Sequence, residues 1–335
     1  MPPFDPLIIR ASAPARLDFA GAWTDVAPFA TERRGVVVNA AIELRAEAEL
    51  SIGGDDYRLE AKDLGQTVET GRAGIAEKDG RLELLKAAVR IHDLPPCRLT
   101  TRSAAPPGSG LGSSGAMDVA LAAACARAVN QPLTPPALAD RAWKLEAVEA
   151  GLPGGKQDQY AAALGGFHRL DFSAAGVLVH PLAIAPAFAD WLARHIVVCY
   201  TGQSRVSSAT IGRVMTRFVE RDPGVVAALE GLAELGVSMA GALEAGDERE
   251  VGALLSANWR LQQRLDPGMQ TPAMARLEQA MTDAGSLGGK AAGAGAGGTM
   301  FFVIGGDSAP AARIAAEFGS TVLPLEWAWE GVRVW

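Results

Sequence analysis

Ten residues constrain this chain more than any others: Pro106-Pro107-Gly108-Ser109-Gly110-Leu111-Gly112-Ser113-Ser114-Gly115. They close a nearly uncharged segment, 103–115, and run directly into 116–129, which is apolar on almost every side. A helix that is apolar all round is a buried helix. A glycine loop that opens it therefore lies within the fold and does not behave as a linker. Glycines let successive N–H groups converge on one centre, and the helix N-terminus adds unpaired donors and a partial positive charge. That combination suits a di- or triphosphate, with the Ser113 and Ser114 hydroxyls available to Mg²⁺. It is not a Walker A loop, because no Lys-Ser/Thr follows the glycines.

The chain has 335 residues, enough for two domains, and 49% of them are hydrophobic, which excludes a disordered chain. The net charge of −7 argues against nucleic acid or a membrane surface as partner, since both call for a cationic footprint. Cys97, Cys125 and Cys199 are far apart and form no Cys-x-x-Cys pair, so neither a disulfide framework nor a zinc site is expected. The first residues lack the basic-then-apolar order of a signal peptide, and no long apolar span stands out. A cytoplasmic protein is the expectation.

The pattern predicts strands over 8–18, over 35–38 followed by 40–50, and over 57–60, with a turn at Gly53-Gly54-Asp55-Asp56. Helical spacing is read over 82–92, 116–129 and 138–149, and strands over 176–180 and 195–200. Residues 207–264 are almost wholly helical in pattern, with breaks near 222–224 and 246–247. A helix over 273–284, a buried strand over 299–304, a helix over 310–318 and closing strands complete the chain. Irregular mixing favours α+β over a doubly wound sheet. Domains are expected at 1–190 and 191–335.

Three further segments carry candidate chemistry. Residues 15–25 place Arg16, Asp18, Trp23, Thr24 and Asp25 around a strand end. Arg16 is a fixed cation suited to phosphoryl oxygens and Asp25 an acceptor for sugar hydroxyls; a surface hairpin with a salt bridge is the plainer reading. Gly155-Lys156-Gln157-Asp158-Gln159-Tyr160 begins a helix, where Asp158 either takes a proton from a nucleophilic hydroxyl or only caps the helix. The run 293–298 formally contains Gly-x-Gly-x-x-Gly, but it precedes a strand, so a dinucleotide site is poorly supported. Backbone packing or phosphate contact are the two readings there. The four histidines show no ligand spacing, and no Gly-x-Ser-x-Gly elbow occurs.

Together, 13–25, 107–115 and 290–299 resemble the three motifs of the GHMP kinase superfamily. Within it, the chain is most similar to the sugar 1-kinase branch of heptose 7-phosphate kinases and L-fucokinases. Trp23 looks fucokinase-like, whereas Lys-Gln-Asp-Gln-Tyr at 156–160 and Thr201-Gly202-Gln203-Ser204-Arg205 look heptose-kinase-like. Ala22 departs from the second glycine usual in the first motif. The resemblance implies an α+β fold with a ribosomal-protein-S5-like N-terminal domain and a ferredoxin-like C-terminal domain.

It also implies ATP and Mg²⁺. Asp158 would be the catalytic base and Arg16 its charge-stabilising partner. Pro107, Gly108, Ser109, Gly110, Leu111, Gly112, Ser113 and Ser114 would hold ATP. Ser113 or Ser114 with Glu146 would hold the metal. Asp18, Trp23, Thr24, Asp25, Lys156, Gln157, Arg205 and Gly295 would meet the sugar. A 7-phosphate would demand its own cations, for which Lys86, Lys156 and Arg205 are the candidates, whereas a free-hexose kinase needs none. The remaining readings are an inactive GHMP-fold binding protein, which would be expected to lack the base or metal residues, and a nicotinamide dehydrogenase resting on the 293–298 run. The expected assembly is a monomer or homodimer.

Overall fold

A computed structural model describes residues 8–202 and 207–335. In chain order its strands are β1 (Ile8–Ala20), β2 (Gly35–Ile52), β3 (Tyr57–Ala61), β4 (Gln66–Thr70), β5 (Cys97–Ser103), β6 (Phe167–Ser173), β7 (Gly176–Pro181), β8 (Ile196–Tyr200), β9 (Ser286–Ala291), β10 (Thr299–Ile304), β11 (Thr321–Leu323) and β12 (Arg333–Val334). Its helices are α1 (Phe29–Glu32), α2 (Arg72–Ala76), α3 (Glu83–Ile91), α4 (Ser113–Ala128), α5 (Pro135–Lys144), α6 (Gln157–Leu164), α7 (Pro186–His195), α8 (Ser207–Val219), α9 (Pro223–Ala245), α10 (Glu248–Leu265), α11 (Pro272–Asp283) and α12 (Ala309–Glu317).

The larger sheet runs β12-β1-β2-β5-β3-β4. Its long central strand β2 carries β6 on its first half and β5 on its second, with β7 beyond β6. All its pairings are antiparallel except β3 with β5. The first half of β2, Gly-Val-Val-Val-Asn-Ala-Ala-Ile, is buried throughout because helices cover both faces, while the second half alternates. Burial on two faces explains a run without alternation. On one side α4, uniformly apolar as read, packs against β1 and β2. On the other, α9 crosses β2 so closely that a Cβ on Gly236 would stand 2.5 Å from the Val36 carbonyl oxygen. By length and composition α9 could cross a membrane; here Val225, Leu229, Leu232, Met239 and Leu243 bury it in the fold.

The smaller sheet has the order β11-β8-β10-β9, all antiparallel. Helices α8 to α11 connect β8 to β9, and α12 connects β10 to β11. This is a ferredoxin-like βαββαβ arrangement with an enlarged first crossover, and the whole chain is α+β. The breaks expected in 207–264 are the caps of α9 and α10: Asp222 accepts from the Gly224 and Val225 amides, and Asp247 accepts from Glu250.

The structure contains elements that the sequence reading lacked: strands β4, β5, β6 and β9 and helices α1, α2 and α7. The helix expected over 138–149 ends at Lys144 and continues as one π-helical turn, Leu145–Glu149. The C-terminal segment leaves the smaller sheet and returns to the larger one. There Trp327 bridges Ile42, packs on Phe167 at 4.7 Å between ring centres, and donates to the Ala189 carbonyl at 2.8 Å. The expected boundary at 190/191 falls inside α7. All three cysteines are buried and unpaired.

Candidate active site

The glycine loop becomes a cradle through its dihedral angles. Gly108, Gly110 and Gly112 have φ of +66°, +77° and +73°, alternating with residues of ordinary φ. Glycine alone takes these values without strain. Gly112 is the N-cap of α4 and offers no side-chain acceptor, so no side chain caps the first-turn amides. The 293–298 segment packs against the loop backbone to backbone: a Cβ on Gly110 would lie 2.7 Å from the Ala292 oxygen, and one on Gly293 would lie 2.7 Å from the Gly110 oxygen. Of the two readings offered for that segment, backbone packing holds for its glycines, and Gly293 also reaches the cleft wall.

Arg16 and Asp158 meet in front of this cradle, although 142 residues separate them. Arg16 Nε and Nη2 donate to Asp158 Oδ1 at 2.8 and 2.7 Å, and Nη1 donates to the Gly110 carbonyl. Burial opposes the Arg16 charge, but Asp158, Asp18 and Asp25 outweigh it and hold its pKa above the ordinary value. The Asp158 side chain, in the first turn of α6, is 28% exposed and so remains open to the cleft. A Cβ on Gly112 would stand 3.2 Å from the Asp158 carboxyl carbon. The start of helix α4 and Asp158 are therefore in contact.

Asp25 lies on the same cleft wall, nearly buried. The Gln157 amide donates to its Oδ2 at 3.0 Å and the Gln157 side chain reaches Oδ1 at 3.4 Å. Burial, with repulsion from Asp158, pushes the Asp25 carboxyl up to about 6 against the stabilising Gln157 bond. The adjoining residue Trp23 lines the cleft with φ +82°, a conformation rare outside glycine. The cleft, about 300 Å³, is lined by these groups together with Gly108, Gly110, Gly112, Ser113, Ser114 and Glu146.

Ser114 donates to Glu146, which the π-helical turn brings to the start of α4. Glu146 also accepts from Gln159 at 2.7 Å. Burial raises its pKa, with Asp158 adding to the effect. A hydroxyl and a carboxylate beside a phosphate cradle are hard oxygen donors. They fit Mg²⁺, which takes one or two carboxylates and fills its shell with water and phosphate oxygens. Asp118, in α4 beneath Glu146, escaped sequence reasoning. It is fully buried and held well above the ordinary carboxylate range by desolvation and by Glu146. The available signal was a lone acid in an otherwise apolar helix. Gln159, Gly154, Gly155 and Ile211 were likewise unassigned.

Several expected ligands face elsewhere. Asp18 has no exposed surface; its carboxylate is used by Lys290 and by the Gly293 amide. Thr24 is buried, donating to the Gly21 carbonyl at 2.7 Å and accepting from the Val36 amide at 3.0 Å. Lys156 pairs with Asp140 at 2.7 Å over the Trp143 ring, and buried Lys86 pairs with Asp79. Gly295 faces Met269 and Trp259. Leu111 points into the core, its carbonyl accepting from the Arg16 amide. Ser109 is buried with its amide bonded to Pro106, and Pro107 lies off the cleft wall. Arg205 lies outside the described residues.

Comparison with known proteins follows the same lines. Residues 81–166 match the GHMP kinases N terminal domain, and residues 239–322 match the GHMP kinases C terminal domain. The D-glycero-alpha-D-manno-heptose 7-phosphate kinase of Campylobacter jejuni is 30% identical over 88% of this chain and 89% of its own length. The bifunctional fucokinase/GDP-fucose pyrophosphorylase of Arabidopsis thaliana is 29% identical over 88% of this chain, a region that makes up 30% of that longer protein. The crystal structure of a D-glycero-D-manno-heptose 1-phosphate kinase from Bacteroides thetaiotaomicron superposes with a TM-score of 0.81 at 26% identity, covering 98% of each chain. With both domain matches, the two glycine turns and the Arg16–Asp158 pair in one cleft, this chain belongs to the GHMP kinase family.

Proposed function

We propose that the protein is an ATP-dependent sugar kinase that transfers the γ-phosphoryl group to the anomeric hydroxyl of a sugar or sugar phosphate, with a heptose 7-phosphate as the leading acceptor. The observation that carries this reading is the Asp158 carboxylate, held at 2.7 Å by Arg16 and facing the open end of α4 in the cleft that also contains Asp25. The heptose 7-phosphate kinase relative, similar over nearly its full length, supports the acceptor.

Phosphoryl transfer asks mainly for positioning and charge neutralisation. The glycine turn at Gly108, Gly110 and Gly112 and the first-turn amides of Ser113 and Ser114 receive the triphosphate, and Asp25 and Gln157 orient the sugar. The anomeric oxygen attacks the γ-phosphorus, the new P–O bond forms, the bond to ADP breaks, and the hydroxyl proton passes to Asp158. Arg16 keeps Asp158 aimed and offsets negative charge at the transferring group. Ser114 and Glu146 are the residues that would hold Mg²⁺, whose contribution is to neutralise charge between phosphate oxygens.

A second reading, a free-hexose kinase acting on a sugar such as L-fucose, draws on Lys86 and Lys156. Both were candidates for a second phosphate, and both are engaged away from the cleft. A coupled ADP-release screen over free and 7-phosphorylated sugars separates the two. Turnover confined to phosphorylated heptoses is expected. Turnover confined to free hexoses selects the second reading, and no turnover with any sugar discards both. We place the enzyme in the cytoplasm, a setting suited to three buried, unpaired thiols.

A further inference from the structure

The two glycine turns come from distant parts of the chain, and a buried ion pair between β1 and β9 sits beside their contact. Asp18 and Lys290 have side chains with no solvent exposure. Lys290 Nζ pairs with Asp18 Oδ2 and also donates to the Asp18 main-chain oxygen at 2.9 Å. The other carboxylate oxygen, Oδ1, accepts the Gly293 amide at 2.9 Å. The Gly293 carbonyl is held in turn by Gln262 at 2.7 Å. Gly293 abuts Gly110, whose carbonyl accepts from Arg16, and Arg16 holds Asp158. An unbroken path of contacts thus runs from Lys290 through Asp18, Gly293 and Gly110 to the base.

Resting on the kinase reading of this cleft, we propose that Asp18 and Lys290 are positioning residues that set the spacing of the two glycine turns and so aim Arg16 and Asp158 at the transferring phosphoryl group. Neither touches the cleft. Net stability does not account for the pair, because replacing a buried ion pair with hydrophobic groups of similar volume is often neutral or stabilising. What such a replacement cannot reproduce is three directed bonds fixing one turn against another. Phosphoryl transfer is sensitive to that spacing, since a misplacement near 1 Å can cost on the order of 10²-fold in rate.

The test is the double variant Asp18→Asn with Lys290→Met, which removes both charges together and leaves no buried charge unpaired. Its kcat is expected to fall and its KM for ATP to rise, each about tenfold, while the sugar KM moves less than about twofold. Hydrogen exchange of the amides at 108–112 and 292–298 is expected to quicken while that of β2 does not change. A second pair, Asp18→Asn with Lys290→Gln, keeps neutral hydrogen bonding and is expected to recover most of the lost rate. It also supplies the test if the first variant fails to fold. Wild-type kinetics and wild-type exchange in a folded variant would overturn the proposal. Absence of sugar phosphorylation by the unmodified protein would instead overturn the kinase reading, and the exchange measurement would still decide whether the pair holds the turns together.

Discussion

At the scale of single residues, the account turns on Asp158 and Asp25. Asp158→Asn keeps the shape of the side chain but removes the proton acceptor, so kcat is expected to fall by about 10²–10⁴ while nucleotide affinity, measured by calorimetry, changes little. Asp25 carries a pH signature. Its carboxyl is raised to about 6 by burial, so the folded protein holds that proton more tightly than the unfolded chain. The stability this confers is full below the ordinary carboxylate value and is lost as pH rises through about 6. Asp25→Asn should therefore melt higher than the unmodified protein at pH 8, by up to about 3 kcal/mol, and no higher at pH 4. The same variant should bind sugar more weakly at pH 8, because the amide replaces a charged acceptor. Equal melting curves for the two proteins at pH 8 would exclude an uncompensated buried charge at this position. Arg16, Asp25 and Asp158 drew attention in the sequence because each lies in a stretch, 15–25 or 154–160, that combines glycine with residue types suited to phosphoryl or sugar oxygens. Asp18 and Thr24 turn away from the cleft, which a local string does not show: it does not say which face of β1 or which side of the following turn meets the cleft, and the Asp18 partner lies 272 residues away.

At the scale of elements, the site is a helix end pressed against another helix end. A Cβ on Gly115, in the first turn of α4, would come within 2.5 Å of the Asp158 Cβ in α6. Gly115→Ala should push Asp158 away from the cradle and lower kcat by at least about tenfold, with an overpacking cost of about 1–3 kcal/mol in denaturant titration. An alanine variant with unchanged kcat would mean that α4 and α6 can separate without consequence. The glycine loop, the buried α4 and the caps of α9 and α10 were readable because each has a local cause: missing side chains, apolar residues on every face, an aspartate at a break. The π-helical turn had no such marker. Periodicity runs smoothly through Leu138–Glu149, and only the tertiary requirement of bringing Glu146 to Ser114 reveals the irregularity. Strand β6 was missed because His168-Arg169 breaks the alternation of Phe167–Ser173, which gains its regularity from pairing with β2.

At the scale of the whole molecule, the two sheets are joined by contacts distant in sequence. The C-terminal segment is one such tie: Trp327 fills the space between Phe167 and Phe19 and bonds to Ala189. Trp327→Ala should destabilise the protein by about 3–5 kcal/mol in chemical denaturation, and a loss under about 1 kcal/mol would show that the segment is only draped on the surface. Sequence could announce the α+β class and the strands β8 and β10 of the smaller sheet, which follow simple patterns, but not β9, whose Ser-Leu-Gly-Gly-Lys-Ala runs into the glycine-rich segment. It could not announce the return of residues 324–335 to the larger sheet, because a strand of two residues has no periodicity to read. The cleft depends on both ends of the chain arriving together, and its proposed chemistry is open to one direct check. ³¹P NMR of ATP with the preferred acceptor should show ADP and a phosphomonoester on the anomeric oxygen forming in equal amounts, and both signals should grow about 10²–10⁴-fold more slowly with Asp158→Asn. A phosphoester at another oxygen, or inorganic phosphate released as fast by Asp158→Asn as by the unmodified protein, would contradict the account.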